Sequence, residues 1–195
     1  MVRLLLLLAV VVAGSVLLAR LVEQRRRERL AHVRASFLAG LKAAQEHGPV
    51  LKDVALRSGA VRMRIPRHWA EEYPDEDHAS FRDPGYAQRV LRLASTRVGA
   101  AAGDLRALLQ ARAGDGATTI EDLADGRVML RALDASREDG RDVVVFRWLC
   151  AARRQPSEVS LATFTLSVPE RLALDPLTRD VVATLDLEIR SAQLA

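Results

Sequence analysis

The stretch from Arg127 to Val168 constrains the fold more than any other part of the chain. Three apolar runs, RVMLRALDAS, RDVVVFRWLCAA and EVSLATFTLSV, are separated by turn material. Asp139-Gly140 divides the first from the second, and Asp-Gly between alternating runs is a strong hairpin signal. Pro156-Ser157 divides the second from the third, where a residue without an N–H suits a loop and not a central strand. The pattern predicts a three-stranded antiparallel meander carrying Phe146, Trp148 and Phe164. A sheet with an apolar face needs a cover, and the chain supplies one directly afterwards. Asp175-Pro176 sets a capping carboxylate before a proline at the first helical position. Leu177, Val181, Leu185 and Ile189 then recur every four residues as one apolar stripe. The predicted fold is α+β: a twisted antiparallel sheet covered by the 176–193 helix and by the 104–125 segment.

The first half adds further strands. Val61, Met63 and Ile65 alternate with Arg62 and Arg64, the pattern of a half-buried strand, and Pro66 ends it. Short strands are expected around Ala79–Arg82 and Arg89–Thr96, with Asp83-Pro84-Gly85 as the turn between them. Asp104 is placed to cap a helix carrying Leu105, Leu108 and Leu109. After Gly114-Asp115-Gly116, Thr118 and Glu121 have capping-box spacing for a second short helix ended by Gly126.

Before residue 50 the chain changes character. Leu4 to Ala19 is an unbroken apolar run, extended past Arg20 by Leu21-Val22. A helix needs about 20 residues to cross the hydrocarbon of a bilayer, so residues 1–22 are expected to be an uncleaved transmembrane anchor. A cleaved signal peptide is the rival, but its small-residue sites sit badly: cleavage at Ala13-Gly14-Ser15 would leave VLLARLV as an exposed end. Residues 23–49 form a basic juxtamembrane helix with a stripe of Leu30, Val33, Phe37, Leu41 and Ala44, stopped by Gly48-Pro49. That stripe either packs on the domain or pairs weakly with a second copy through residues 23–47. Residues 50–195 are the soluble domain.

Charge is divided unevenly between these parts. Residues 1–34 hold seven arginines against Glu23 and Glu28, leaving 22 basic and 23 acidic side chains for the remainder. The folded part is nearly neutral, which argues against a nucleic-acid binder needing a basic face. Arg20, Arg25, Arg26, Arg27 and Arg29 follow the apolar run, so positive-inside reasoning favours a cytoplasmic domain at a bacterial inner membrane. A periplasmic domain stays open, because Met-Val-Arg also starts exported chains. The same arginines suit anionic lipid headgroups, which makes a membrane-surface or lipid-binding module one functional alternative.

Little in the chain speaks of chemistry. The single cysteine, Cys150, lies mid-strand and reads as a small buried hydrophobe. There is no Gly-x-Ser-x-Gly elbow, P-loop or dinucleotide fingerprint, and no cofactor is expected. The one cluster that invites a functional reading is HWAEEYPDEDH, where His68, Asp75, Asp77 and His78 are candidate metal ligands. It lacks the residue order of an EF-hand loop, and an acidic surface loop after a buried Trp is the favoured account. A metal-binding module or metal-dependent enzyme at 68–78 is the second alternative.

Ile65-Pro66-Arg67-His68-Trp69, the short strand with Phe81-Arg82-Asp83, the meander and the C-terminal helix together resemble the PsbP-like and DcrB-like proteins over residues 50–193. The resemblance implies an antiparallel sheet sandwiched by helices, and a non-enzymatic accessory or binding role, often in an anchored or exported domain. It carries over no binding residues. The reading is therefore a membrane-anchored accessory protein that binds another protein of an envelope complex.

Overall fold

In the computed structural model the described residues are 24, 25, 27, 28 and 31, then 50–85, 89–99, 104–113, 117–138 and 140–195. The apolar run 4–22, Arg20, Arg26, Arg29, the stripe from Leu30 to Ala44, Asp139 and the Gly114–Gly116 break lie outside them. No helix among the described residues is long and apolar enough to cross a membrane.

The meander forms as the sequence predicts. Strands β7 (Val128–Glu138), β8 (Arg141–Gln155) and β9 (Glu158–Pro169) are antiparallel neighbours. Gly140 has φ +76° in the first turn, the left-handed conformation that glycine adopts without strain. The meander is the middle of a larger sheet. β5 (Val90–Gly99) pairs with β9, β4 (His78–Arg82) with β5, and β3 (Ala70–Glu72) with β4. β6 (Ala117–Asp122) closes the other side against β7, giving the order β3-β4-β5-β9-β8-β7-β6. A second sheet of three strands, β1 (Leu51–Ala55), β2 (Val61–Pro66) and β10 (Gln193–Leu194), runs in the order β1-β2-β10. Both sheets are wholly antiparallel.

Three expectations are corrected here. The described residues build two sheets and not one. Residues 118–126 are not a helix, because Thr118–Asp122 belong to β6, whose backbone groups find partners in β7. Capping-box spacing cannot tell a helix start from a strand when a neighbouring edge offers those bonds. Only the Leu105–Gln110 part of the 104–125 cover is helical; it is helix α1, with Asp104 Oδ1 accepting from Arg106 N at 2.9 Å.

The long helix α2 (Pro176–Ser191) starts where its cap predicts, with Leu177 N donating to Asp175 Oδ1 at 2.8 Å. Its buried face, however, is Thr178, Val182, Leu185, Asp186 and Ile189, while Leu177 is 52% exposed and Val181 only half-buried. A strict spacing of four drifts around a helix of 3.6 residues per turn. The stripe therefore leaves the core at its N-terminal end.

The seven-stranded sheet is covered on both faces. On one side Leu93, Phe164, Trp148 and Phe146 pack with Val61, Met63 and Ile65 of β2 and with Val182, Leu185 and Ile189 of α2. On the other, Leu105 and Leu109 of α1 cover Leu130, Leu149, Ala151, Val159 and Leu161. Buried side chains on both faces explain why β7, β8 and β9 read as near-continuous apolar runs.

The two sheets are tied at β1 and β3. Lys52 Nζ donates to Trp69 O at 2.8 Å and pairs with Glu71 at 2.6 Å, and Tyr73 Oη donates to Glu71 at 2.7 Å. The Lys52 hydrogen bond, opposed by partial burial and aided by Tyr73, holds the Glu71 carboxyl below its ordinary value of 4.5. A depressed folded pKa gives stability that is present above 4.5 and is lost as pH falls through the folded value. Glu71→Gln is thus expected to lower the melting temperature at pH 7 and to match the wild type at pH 2. A gap of equal size at both pH values would refute this account.

Candidate functional site

The small sheet turns an open face outward. Because β2 alternates, Val61, Met63 and Ile65 enter the core, and Arg62 and Arg64 project to the other side. Register sets Asp53 opposite Arg64 and Ala55 opposite Arg62 on the same outer face. β10 adds Gln193 opposite Arg62. The end of α2 then walls this face with Glu188 and Ser191, enclosing a groove of about 640 Å³.

The electrostatics of the groove are fixed from one side. Arg64 Nε donates to Glu188 Oε2 at 2.8 Å and Nη2 to Oε1 at 2.9 Å, a two-pronged pair whose planar geometry orients both groups. Glu188 is buried and Arg64 more than half exposed, so the guanidinium is anchored at its base and presented to solvent. The hydrogen bonds and charge of Glu188, with a further contribution from Asp53, raise the Arg64 pKa. Arg62 is exposed, and no hydrogen bond or ion pair engages it among the described residues.

The metal candidates lie elsewhere and each is partnered. His78 Nδ1 sits 2.8 Å from Asp75 Oδ1, and His78 together with the Asp77 N–H holds the Asp75 carboxyl below its usual range. Asp77 accepts from Ser95 Oγ at 2.9 Å, and its pKa is lowered by the Ser58 and Ser95 hydroxyls. His68 Nε2 lies 3.6 Å from Asp83 Oδ1, on a different carboxylate from His78. Among the described residues no group of three or more His, Cys, Asp or Glu side chains is placed to hold a metal. Of the membrane-surface arginines, Arg25 and Arg27 are described, and both are exposed on helical residues.

Cys150 faces the core between β7 and β9, fully buried, and burial pushes its thiol up to about 12. A thiol so rarely ionised is a poor nucleophile.

A second charged constellation was not legible in the sequence. Asp186, on the buried face of α2, accepts from Arg131 Nε at 2.5 Å, Trp148 Nε1 at 2.8 Å and Arg190 Nε at 2.9 Å. Glu121 of β6 accepts from Arg131 Nη1 at 2.8 Å and Arg190 Nη2 at 3.1 Å. Burial opposes the charge of Arg131, but hydrogen bonds and charge from Asp186, then from Glu121, outweigh it and raise its pKa. Beside it, Arg127 donates to the carbonyls of Ala192, at 2.5 Å, and Arg190, closing the C-terminal turn of α2. The cluster is centred on the buried Asp186 and bridges sheet and helix, so it fixes the position of α2 and hence of Glu188 in the groove. An arginine amid an apolar run at position 131 is the one sequence signal that could have found it.

No protein-family model matches this chain, and no curated protein matches it. Among solved structures it is similar to a Bacteroides thetaiotaomicron protein, with a TM-score of 0.49 and 15% identity over 74% of this chain and 48% of that one. It spans about half the length of that protein. It is also similar to the Saccharomyces cerevisiae Ran-binding protein Mog1p, with a TM-score of 0.47 and 12% identity over 75% of this chain and 96% of that one. LpqN, involved in cell envelope biogenesis of Mycobacterium tuberculosis, gives a TM-score of 0.47 and 11% identity over 73% of this chain and 92% of that one.

Proposed function

We propose that this protein is a non-enzymatic accessory protein, anchored in a bacterial inner membrane by residues 1–22, whose α+β domain binds another protein. The finer fold reading that accompanies it is a PsbP-like sandwich. The observation that carries the proposal is the groove: an open sheet face with a guanidinium held ready by a buried carboxylate. Preorganised charged groups of this kind lose little side-chain freedom on binding, which favours recognition of a partner. The arginines after the apolar run favour the cytoplasmic side for this domain.

The test is a photo-crosslinking amino acid placed at Ser191 or Gln193 of the full-length chain in cells, with Arg154 on β8 as the remote control. Both groove positions are exposed, so neither replacement threatens the core. The expected result is one protein adduct shared by the two groove positions and absent at Arg154. Adducts that are the same at all three positions would overturn the assignment of the groove.

A further inference from the structure

Among the described residues the outer strand of the small sheet, β1, pairs on one side only, with β2. Arg67 N donates to Val50 O at 2.9 Å and Leu56 N to Val61 O at 3.0 Å. Antiparallel strands alternate in this respect, so residues 50, 52, 54 and 56 direct their backbone groups to β2. Leu51, Asp53 and Ala55 therefore turn their N–H and C=O groups to the free edge. Such an edge is a template for another strand unless it is blunted by proline, a bulge or an inward charge. The five residues of β1 contain no proline and pair with β2 without a register shift, and their one inward charge, Lys52, is neutralised within the chain by Glu71. Their edge-directed residues carry exposed side chains at Asp53 and Ala55.

We infer that this edge is an interface between two copies of the chain, joined antiparallel through β1 about a twofold axis at Val54. The edge is complementary to itself in that register. Asp53 lies opposite the partner's Ala55 and Ala55 opposite the partner's Asp53, so both residues of each pair turn their backbone groups to the other strand. Four inter-strand hydrogen bonds result. The outer-face side chains agree with this. Ala55 is paired with Arg62, and its methyl group leaves room for the longer Arg62 side chain to lean across toward the edge. There the partner's Asp53 stands, two strand spacings away, roughly 10 Å between backbones. An arginine leaning out and a carboxylate leaning back span that separation. The symmetric contact repeats it, so each Arg62, without a partner among the described residues of its own chain, gains one.

Charge also disfavours one of the two neighbouring registers. Sliding the strands by two residues in one direction sets Asp53 against the partner's Asp53, and like charges directly opposite are destabilising. Sliding them the other way sets Asp53 against the partner's Arg57, which lies beyond the end of β1 in the turn. Sliding by one residue turns the partner's outer side chains to the inner face. The interface shares Asp53, Ala55 and Arg62 with the groove but leaves Ser191 and Gln193 free, so crosslinking there reads the partner-binding role separately. It brings two grooves side by side across one continuous sheet.

Cysteine pairing in the full-length chain tests the register, since the only native cysteine is buried. One tagged copy carries Asp53→Cys and a differently tagged copy Ala55→Cys, both at exposed positions, and cells are treated with a membrane-permeant oxidant. The expected result is a mixed disulfide dimer. Each variant expressed alone gives about tenfold less, because its cysteines lie beyond the roughly 7 Å between Cα atoms that a disulfide spans. Arg62→Glu in the Asp53→Cys copy lowers the mixed yield about fivefold, as expected for replacing attraction by repulsion between exposed charges. Asp53→Arg in the Ala55→Cys copy then restores it. No mixed disulfide, equal yields from either variant alone, or a mixed yield indifferent to Arg62→Glu would each overturn the inference.

Discussion

Asp186→Ala is expected to destabilise the domain by about 3–5 kcal/mol, the usual cost of removing one partner from a buried ion pair. Asp186 is fully buried, and Arg131 is 15% exposed. Without the carboxylate, the Arg131 guanidinium keeps only Glu121, and the Trp148 indole N–H loses its acceptor. The cost is that of a buried charge left half-compensated, more than of the pair itself. Replacing Asp186 and Arg131 together by leucine and methionine is therefore expected to recover most of the loss, because apolar groups of similar volume often substitute for a whole buried pair. Urea unfolding of the three proteins measures this. A single variant that loses less than about 1 kcal/mol would show that the cluster does not hold α2 in place.

Phe164→Ala is the second large effect, again about 3–5 kcal/mol. The ring is fully buried at the centre of the large sheet, opposite Leu93 on β5 and Trp148 on β8, and belongs to the cluster shared with β2 and α2. Its removal leaves a cavity where both sheets and the helix meet, and none of those elements can collapse without shifting the others. Thr165, the next residue, points to the opposite and more open face, so Thr165→Ala should cost less than about 1 kcal/mol. Comparable losses for the two substitutions, read from the same unfolding curves, would contradict the assignment of faces.

Where the chain encodes structure locally, the sequence is readable. The meander's turns rest on Gly140 and on Pro156, and α2 begins at the Asp175-Pro176 cap. Alternation in β2 is enough to place Arg62 and Arg64 outside. The elements that were missed are those whose existence depends on a neighbour. β10 is two residues long and is a strand only because β2 offers Val61 and Arg62 to pair with. β6 carries a helix-start spacing, yet the free edge of β7 decides its conformation. β1 and β3 are short, and β3 runs through the acidic stretch that also carried the metal candidates.

The same division applies to the candidate sites. His68, Asp75, Asp77 and His78 are close in sequence, but the strand β3 and the loop after it separate His68 from the others and give it to Asp83. Glu188 is distant in sequence from Arg64, and no pattern within either segment announces their contact.

By itself, then, the sequence determined the alternation of β2, the turns of the meander and the start of α2, because each is set by contacts within a few residues. It also set the expectations of a basic, apolar N-terminal segment and a nearly neutral domain. The tertiary structure alone decided that there are two sheets, which face of α2 is buried, and that Arg131 has an acceptor. It also decided that Arg64 meets Glu188 while Arg62 faces an edge that no other described strand covers. Those outcomes depend on which distant groups are brought within hydrogen-bond range, and a buried charge or an open edge acquires its energy only from the neighbour that arrives or fails to arrive.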